Sequence, residues 1–140
     1  MERRDILIVD DDWQVREVLH EIFLSSGYHC LLAQDGQEAL SLFRASRPPL
    51  TVTDLKMPVM DGIALLQAAL AIEPDAAIII LTGAADVKTA IDSLKLGAYD
   101  FIMKPVNVDE LVIAADRALE RRQLLIERRQ YQAYLELRVE

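Results

Sequence analysis

Five short apolar runs, each followed by a longer stretch with apolar residues at helical spacing, restrict this chain to very few folds. Residues 6–9, ILIV, are continuously apolar, as a buried strand is. Residues 12–26 then carry Val15, Val18, Leu19, Ile22 and Phe23 on one helical stripe, and Gly27 ends it. The pattern repeats with strands at about residues 28–33, 50–53, 77–81 and 99–103. Helices are predicted over about 36–45, through Leu65, Leu66 and Ala69 up to Pro74, through Val87, Ala90, Ile91 and Leu94 up to Gly97, and from about Val108 onward. Runs that are apolar throughout, as ILIV and AIIIL are, rather than on alternate residues, belong to a parallel sheet covered on both faces. Right-handed crossovers then give a doubly wound, three-layer α/β sandwich. Ligands of such sheets sit at the carboxyl ends of the strands, near the point where the strand order reverses.

With 140 residues, 52% of them hydrophobic, the chain has the material for one core. The net charge of −8 is unevenly spread: residues 1–119 hold 10 Lys+Arg against 19 Asp+Glu, or −9, and residues 120–140 hold 5 against 4, or +1. So acidic a body lacks the basic face that phosphate neutralisation needs, and direct nucleic-acid binding is not expected. The single Cys30 rules out an internal disulfide and fits a reducing compartment. No apolar run approaches the roughly 20 residues of a membrane span. The start, MERRDILIVDDD, is too poor in apolar residues for a signal-peptide core. A cytoplasmic protein without membrane association is expected.

The first strand runs straight into Asp10, Asp11 and Asp12, carboxylates that repel one another, more so beside a desolvated core. Asp54 follows the third strand (TVTDLKMPVMDG), Thr82 the fourth (IIILTGAA) and Lys104 the fifth (FIMKPV), while the second ends blank at Ala33 and Gln34. Acids, a hydroxyl and an amine thus converge on one sheet edge. Clustered carboxylates suit a hard dication such as Mg²⁺, which takes oxygen ligands and retains waters for phosphates. A lysine and a hydroxyl can hold phosphoryl oxygens, and a carboxylate facing the metal can attack phosphorus to form an aspartyl phosphate. Each residue alone has an ordinary reading. Asp12 suits a helix N-cap, Asp10 or Asp11 a solvated loop, Asp54 a turn before Pro58, Thr82 a backbone-bonded hydroxyl, and Lys104 a strand-ending surface lysine. Their joint arrival at four strand ends favours chemistry.

The motifs ILIVDDD, TDLKMPVMDG, LTG and KP, in that order, resemble the receiver domain of two-component response regulators over about residues 5–119. The resemblance implies a flavodoxin-like, five-stranded parallel sheet of order 2-1-3-4-5 with helices on both faces, here with an extended C-terminal helix. It implies Asp54 as phosphoacceptor, and Mg²⁺ held by Asp11, Asp54 and the backbone carbonyl of Lys56, with Asp10 acting through water. Lys104 would pair with Asp54 and later with the phosphoryl oxygens, and Thr82 would donate its hydroxyl. Pro105 matches a proline that in this family usually follows a cis peptide bond. The implied donor is the phosphohistidine of a sensor histidine kinase, or a small phosphodonor. Such a domain is a signalling phosphoacceptor, promoting only its own phosphorylation and dephosphorylation.

Phosphorylation would add a charge of about −1.5 to −2. Thr82 moving toward it would vacate space into which Phe101 turns, re-presenting the surface of the fourth helix, fifth strand and last helix. That surface would address an output domain, a separate partner or a second copy. Full conversion from off to on needs about 5 kcal/mol of differential interaction, so a partial shift is expected. Gly83 stands where the family usually has alanine, and Phe101 where tyrosine is frequent. Lys56 and Ala84 occupy positions that tune phosphoryl lifetime.

The last helix does not stop where such a domain ends. ERRQLLI at 120–126 is followed by ERRQYQA at 127–133, and no Gly or Pro interrupts 108–140. One helix of about 50 Å is allowed at 1.5 Å per residue. The period of seven suggests a coiled coil through which two copies would pair, although Arg, Gln and Glu intrude on every seam. The expected organisation is a receiver domain over 1–119 and a helical extension over 120–140, leading toward an output domain of phosphodiesterase, kinase or ATPase type. Two rivals remain. A phosphohydrolase of the haloacid-dehalogenase type would use Asp10 as nucleophile and Asp12 as general acid, but Trp13 and Gln14 depart from its pattern and Asp54 would have no task. A pseudo-receiver would bind partners without taking phosphate, but it usually lacks an acceptor, metal acid or lysine, all present here.

Overall fold

The structure is a computed structural model that describes residues 5–138, so the readings made on residues 1–4 and on the last two residues of the helical extension lie outside it. Its strands are β1 (Asp5–Val9), β2 (His29–Ala33), β3 (Leu50–Asp54), β4 (Ala77–Thr82) and β5 (Asp100–Met103). Its helices are α1 (Trp13–Ser25), α2 (Gly36–Ser46), α3 (Gly62–Ile72), α4 (Val87–Lys95) and α5 (Val108–Arg138). All neighbouring strands pair parallel, in the expected order β2-β1-β3-β4-β5. The order reverses between β1 and β3, and the carboxyl ends of those strands carry Asp10, Asp11 and Asp54.

Continuous apolar strands are explained by a core on each face. Ile6, Ile8, Val52, Ile79 and Leu81 pack on one side against Leu19 and Phe23 of α1 and Leu111 and Ala115 of α5. Leu7, Val9, Ile78 and Ile80 pack on the other against Phe43 of α2, Leu65 and Leu66 of α3 and Ala90 of α4. Each fully buried Leu, Ile or Phe contributes about 1.5–3 kcal/mol. The helices start where short polar side chains cap them. Asp12, Asp35, Asp61 and Asn107 accept from the amides of Gln14, Glu38, Ala64 and Glu110 at 2.8–3.0 Å.

Several element ends differ from those predicted. Tyr28 stands before β2 because its N–H donates to the Phe23 carbonyl at 2.9 Å, closing α1. Its ring meets Phe23 edge-on at 5.2 Å and its hydroxyl donates to Asp116 at 2.8 Å. β3 and β4 each run one residue further than expected, so Asp54 lies opposite Leu81 and Thr82 opposite Met103. Both side chains are therefore held by the hydrogen-bonded ladder rather than by loops. An unexpected 3₁₀ turn at Ala84–Asp86 precedes α4. The last helix is continuous for 31 residues, and every described residue after Ile126 is exposed. Among the described residues, no helix is long and apolar enough to cross a membrane.

Candidate functional site

Lys104 joins the strand ends. Its Nζ lies 3.0 Å from Asp10 Oδ2 and 3.2 Å from Asp54 Oδ1. Asp10 is fully buried, and its other oxygen accepts the Asp12 amide at 2.9 Å. The Asp10 carbonyl accepts from the Arg16 guanidinium at 2.6 Å. Lys104 is itself held by its own N–H, which donates to the Thr82 carbonyl at 2.8 Å, and it precedes a cis bond to Pro105, as the resemblance implied. Asp11 is exposed, yet one oxygen from each of Asp10, Asp11 and Asp54 lies within 4.8 Å of the others.

Two carboxylates therefore share one ammonium, with the Asp11 carboxylate close to both. Burial, then the charge of Asp10 and more weakly that of Asp11, pushes the Asp54 carboxyl up to about 6, with Lys104 pulling the other way. Burial alone would lower Lys104, but its bond to Asp10 and the charges of Asp10 and Asp54 outweigh this and raise it. The uncompensated negative charge and the all-oxygen donor set fit a hard divalent cation.

The other expected residues stand around this centre. Thr82 is buried, and its hydroxyl donates to the Gly83 carbonyl at 3.1 Å. Lys56 borders an open cleft of about 370 Å³ with Asp11, Met57, Pro58 and Asp61, and its ammonium reaches Asp86 at 3.0 Å. Phe101 is half-buried against the α2–α3–α4 core. Asp12 caps α1, as its ordinary reading held, which commits the carboxylate that a hydrolase would need as general acid. Gly62 fixes the loop after Asp54: a Cβ there would stand 2.5 Å from the Asp54 carbonyl oxygen, so only glycine lets α3 begin against the end of β3. Arg16 and Asp86 were not anticipated. Arg16 lies one turn beyond the Asp12 cap, a spacing that could have drawn notice, whereas Asp86 meets a partner from another loop and left no local signal.

A parallel sheet whose carboxyl edge gathers these aspartates and one lysine defines a class of phosphosignalling domains. Residues 6–116 match the family of the response regulator receiver domain, and the chain belongs to that family. It is 39% identical over 115 residues to the regulatory protein AtoC of Escherichia coli, a match covering 82% of this chain and 25% of AtoC. A response regulator receiver domain protein from Clostridium thermocellum superimposes with a TM-score of 0.84 at 33% identity, covering 86% of this chain and 98% of that one. NtrX from Brucella abortus does so with a TM-score of 0.86 at 32% identity, covering 93% of this chain but 30% of its own. The chain thus spans about a quarter of AtoC and under a third of NtrX.

Proposed function

We propose that Asp54 accepts a phosphoryl group from the phosphohistidine of a sensor histidine kinase, and that the chain relays this to an output domain or partner in the cytoplasm. The observation that carries the reading is Lys104 bridging Asp10 and Asp54 at 3.0 and 3.2 Å from the end of a different strand. At neutral pH Asp54, with its pKa of about 6, is mostly ionised and available to attack. Its oxygen forms the new bond to phosphorus as the P–N bond of the donor breaks, the electron pair returning to the imidazole. Lys104 pairs with the incoming phosphoryl oxygens, and Thr82 turns its hydroxyl from Gly83 toward them. Asp11, Asp54 and the Lys56 carbonyl would hold Mg²⁺, with Asp10 acting through water, and the ion when bound supplies charge neutralisation and coordination of phosphoryl oxygens.

Thr82 and Phe101 then form the switch, with Phe101 moving into space that Thr82 leaves and altering the α4–β5–α5 surface. Residues 1–119 act as the receiver and residues 120–140 as the helical link to an output domain. A homodimer would form through α4–β5–α5 or through the C-terminal helix, whose Leu124, Tyr131, Leu135 and Leu137 are exposed. Incubation with Mg²⁺ and acetyl phosphate, followed by mass-spectrometric mapping, should place one phosphoryl adduct on Asp54, and Asp54→Asn should abolish it. An adduct on Asp10, or none at all, would overturn the assignment.

A further inference from the structure

Lys56 and Asp86 face each other from opposite sides of the site, one in the β3–α3 loop and one ending the 3₁₀ turn before α4, with Nζ and Oδ1 3.0 Å apart. Asp86 holds the N-cap position of α4, yet its side chain makes no bond to the helix amides. The residues capping α1, α2, α3 and α5 all make that bond. The Asp86 backbone, at φ −116° and ψ 15°, lies outside the extended region from which a capping side chain reaches forward. No other acid stands in the first turn of α4, and only Ala90 and Ser93 of this helix are buried. α4 is therefore lightly anchored, and the aspartate suited to cap it is held on a lysine two residues from Asp54.

We propose that Lys56 and Asp86 form an exchangeable tie: a phosphoryl group on Asp54 draws the Lys56 ammonium away, and the released Asp86 carboxylate caps α4 and reshapes its first turn. The proposal rests on the reading of Asp54 as phosphoacceptor. With its side chain 76% exposed, Lys56 makes a weak, salt-screened pair that is readily exchanged. A phosphoryl group offers it three acceptor oxygens and more negative charge than a carboxylate. Asp86 is only 24% exposed, and once released it needs new donors, which the first amides of α4 supply. Capping moves Asp86 into the extended region, so the turn at Ala84–Asp86 must open. Asp86 is thus a positioning residue that acts through Lys56, and it gives phosphorylation a backbone route to α4 separate from the Thr82–Phe101 pair.

The test is an amide NMR and hydrogen-exchange comparison of the full chain in Mg²⁺, before and after acetyl phosphate, with the Asp54 adduct verified by mass spectrometry. Phosphorylation of the wild type should shift the amides of residues 87–89 and slow exchange at Lys88 and Thr89 about fivefold, as a gained N-cap does. Unphosphorylated Lys56→Ala and Asp86→Asn should already show that shift, since each breaks the tie and leaves a side chain able to cap. Asp86→Ala should exchange fast in both states. A phosphorylated protein with unchanged amides at 87–89, or a Lys56→Ala spectrum matching the unphosphorylated wild type there, overturns the exchange and leaves the acceptor reading standing. Absence of any adduct on Asp54 overturns both.

Discussion

Asp54 binds its proton more tightly in the folded chain than in the unfolded one, with a pKa moved from 3.8 to about 6, first by burial and then by Asp10. The sign of the consequence is fixed by linkage: stability falls as pH rises through that interval, and the ionised group is a net cost above it. Asp54→Asn should therefore stabilise the Mg²⁺-free protein at pH 8 by about 1–2 kcal/mol, after discounting for partial exposure, and by almost nothing at pH 4. Mg²⁺ should raise the Tm of the wild type more than that of the variant. Thermal melts at both pH values check this, and equal Tm values at pH 8 without metal would refute it. Asp54, Asp10 and Lys104 were legible as strand-end residues, because each is the charged residue that follows a strand-like run. That Lys104 lies slightly nearer Asp10 than Asp54 was not legible, since it depends on side-chain reach across three strands.

Among the elements, the β3–α3 loop departs furthest from what its residues prefer. Val59 has φ 71°, and the Met60 N–H donates to the Pro58 carbonyl at 2.8 Å, a γ-turn centred on a β-branched residue. Strain of this kind costs of order 1–3 kcal/mol. Val59 is 79% exposed, so little packing offsets it. Val59→Gly should stabilise the protein by about 1 kcal/mol, net of the chain entropy that glycine adds to the unfolded state. Urea unfolding measures the difference, and a destabilised variant would show that the valine side chain is needed there. Pro58 and Gly62 marked this segment as a loop, but nothing in a valine announces a positive φ. Strand centres and helical stripes were readable for the opposite reason, since their residues favour the conformation adopted. The ends of β3 and β4 were misplaced because a charged Asp54 and a polar Thr82 look like the first residues of a loop, while the ladder runs on through both.

At the scale of the whole molecule, the long helix is tied to the base of the domain far from the aspartates. Arg129 donates to Asp75 at 2.9 Å, and the Arg121 guanidinium lies 5.8 Å from the Tyr99 ring centre. Asp75 is buried in the α3–β4 connection, so its pairing with a residue 54 positions away fixes where α5 leaves the domain. Past this tie, an exposed charged helix is only marginally stable alone. Arg129→Ala should cost about 1–3 kcal/mol by leaving a buried carboxylate unpaired. It should also speed hydrogen exchange over residues 123–130, whereas Asp75→Asn combined with Arg129→Gln should recover most of the loss. Unchanged exchange in Arg129→Ala would mean the helix stands without the tie.

The sequence by itself determined the five βα units, their parallel arrangement and the chemical character of the strand-end edge. Those follow from periodicity and residue type, which act over a few neighbouring positions. Only the tertiary structure decided the pairings of Lys56 with Asp86 and of Arg129 with Asp75. Partners such as Lys56 and Asp86, or Arg129 and Asp75, lie on different loops and helix ends. Their meeting depends on how whole elements stack, and no local pattern encodes it.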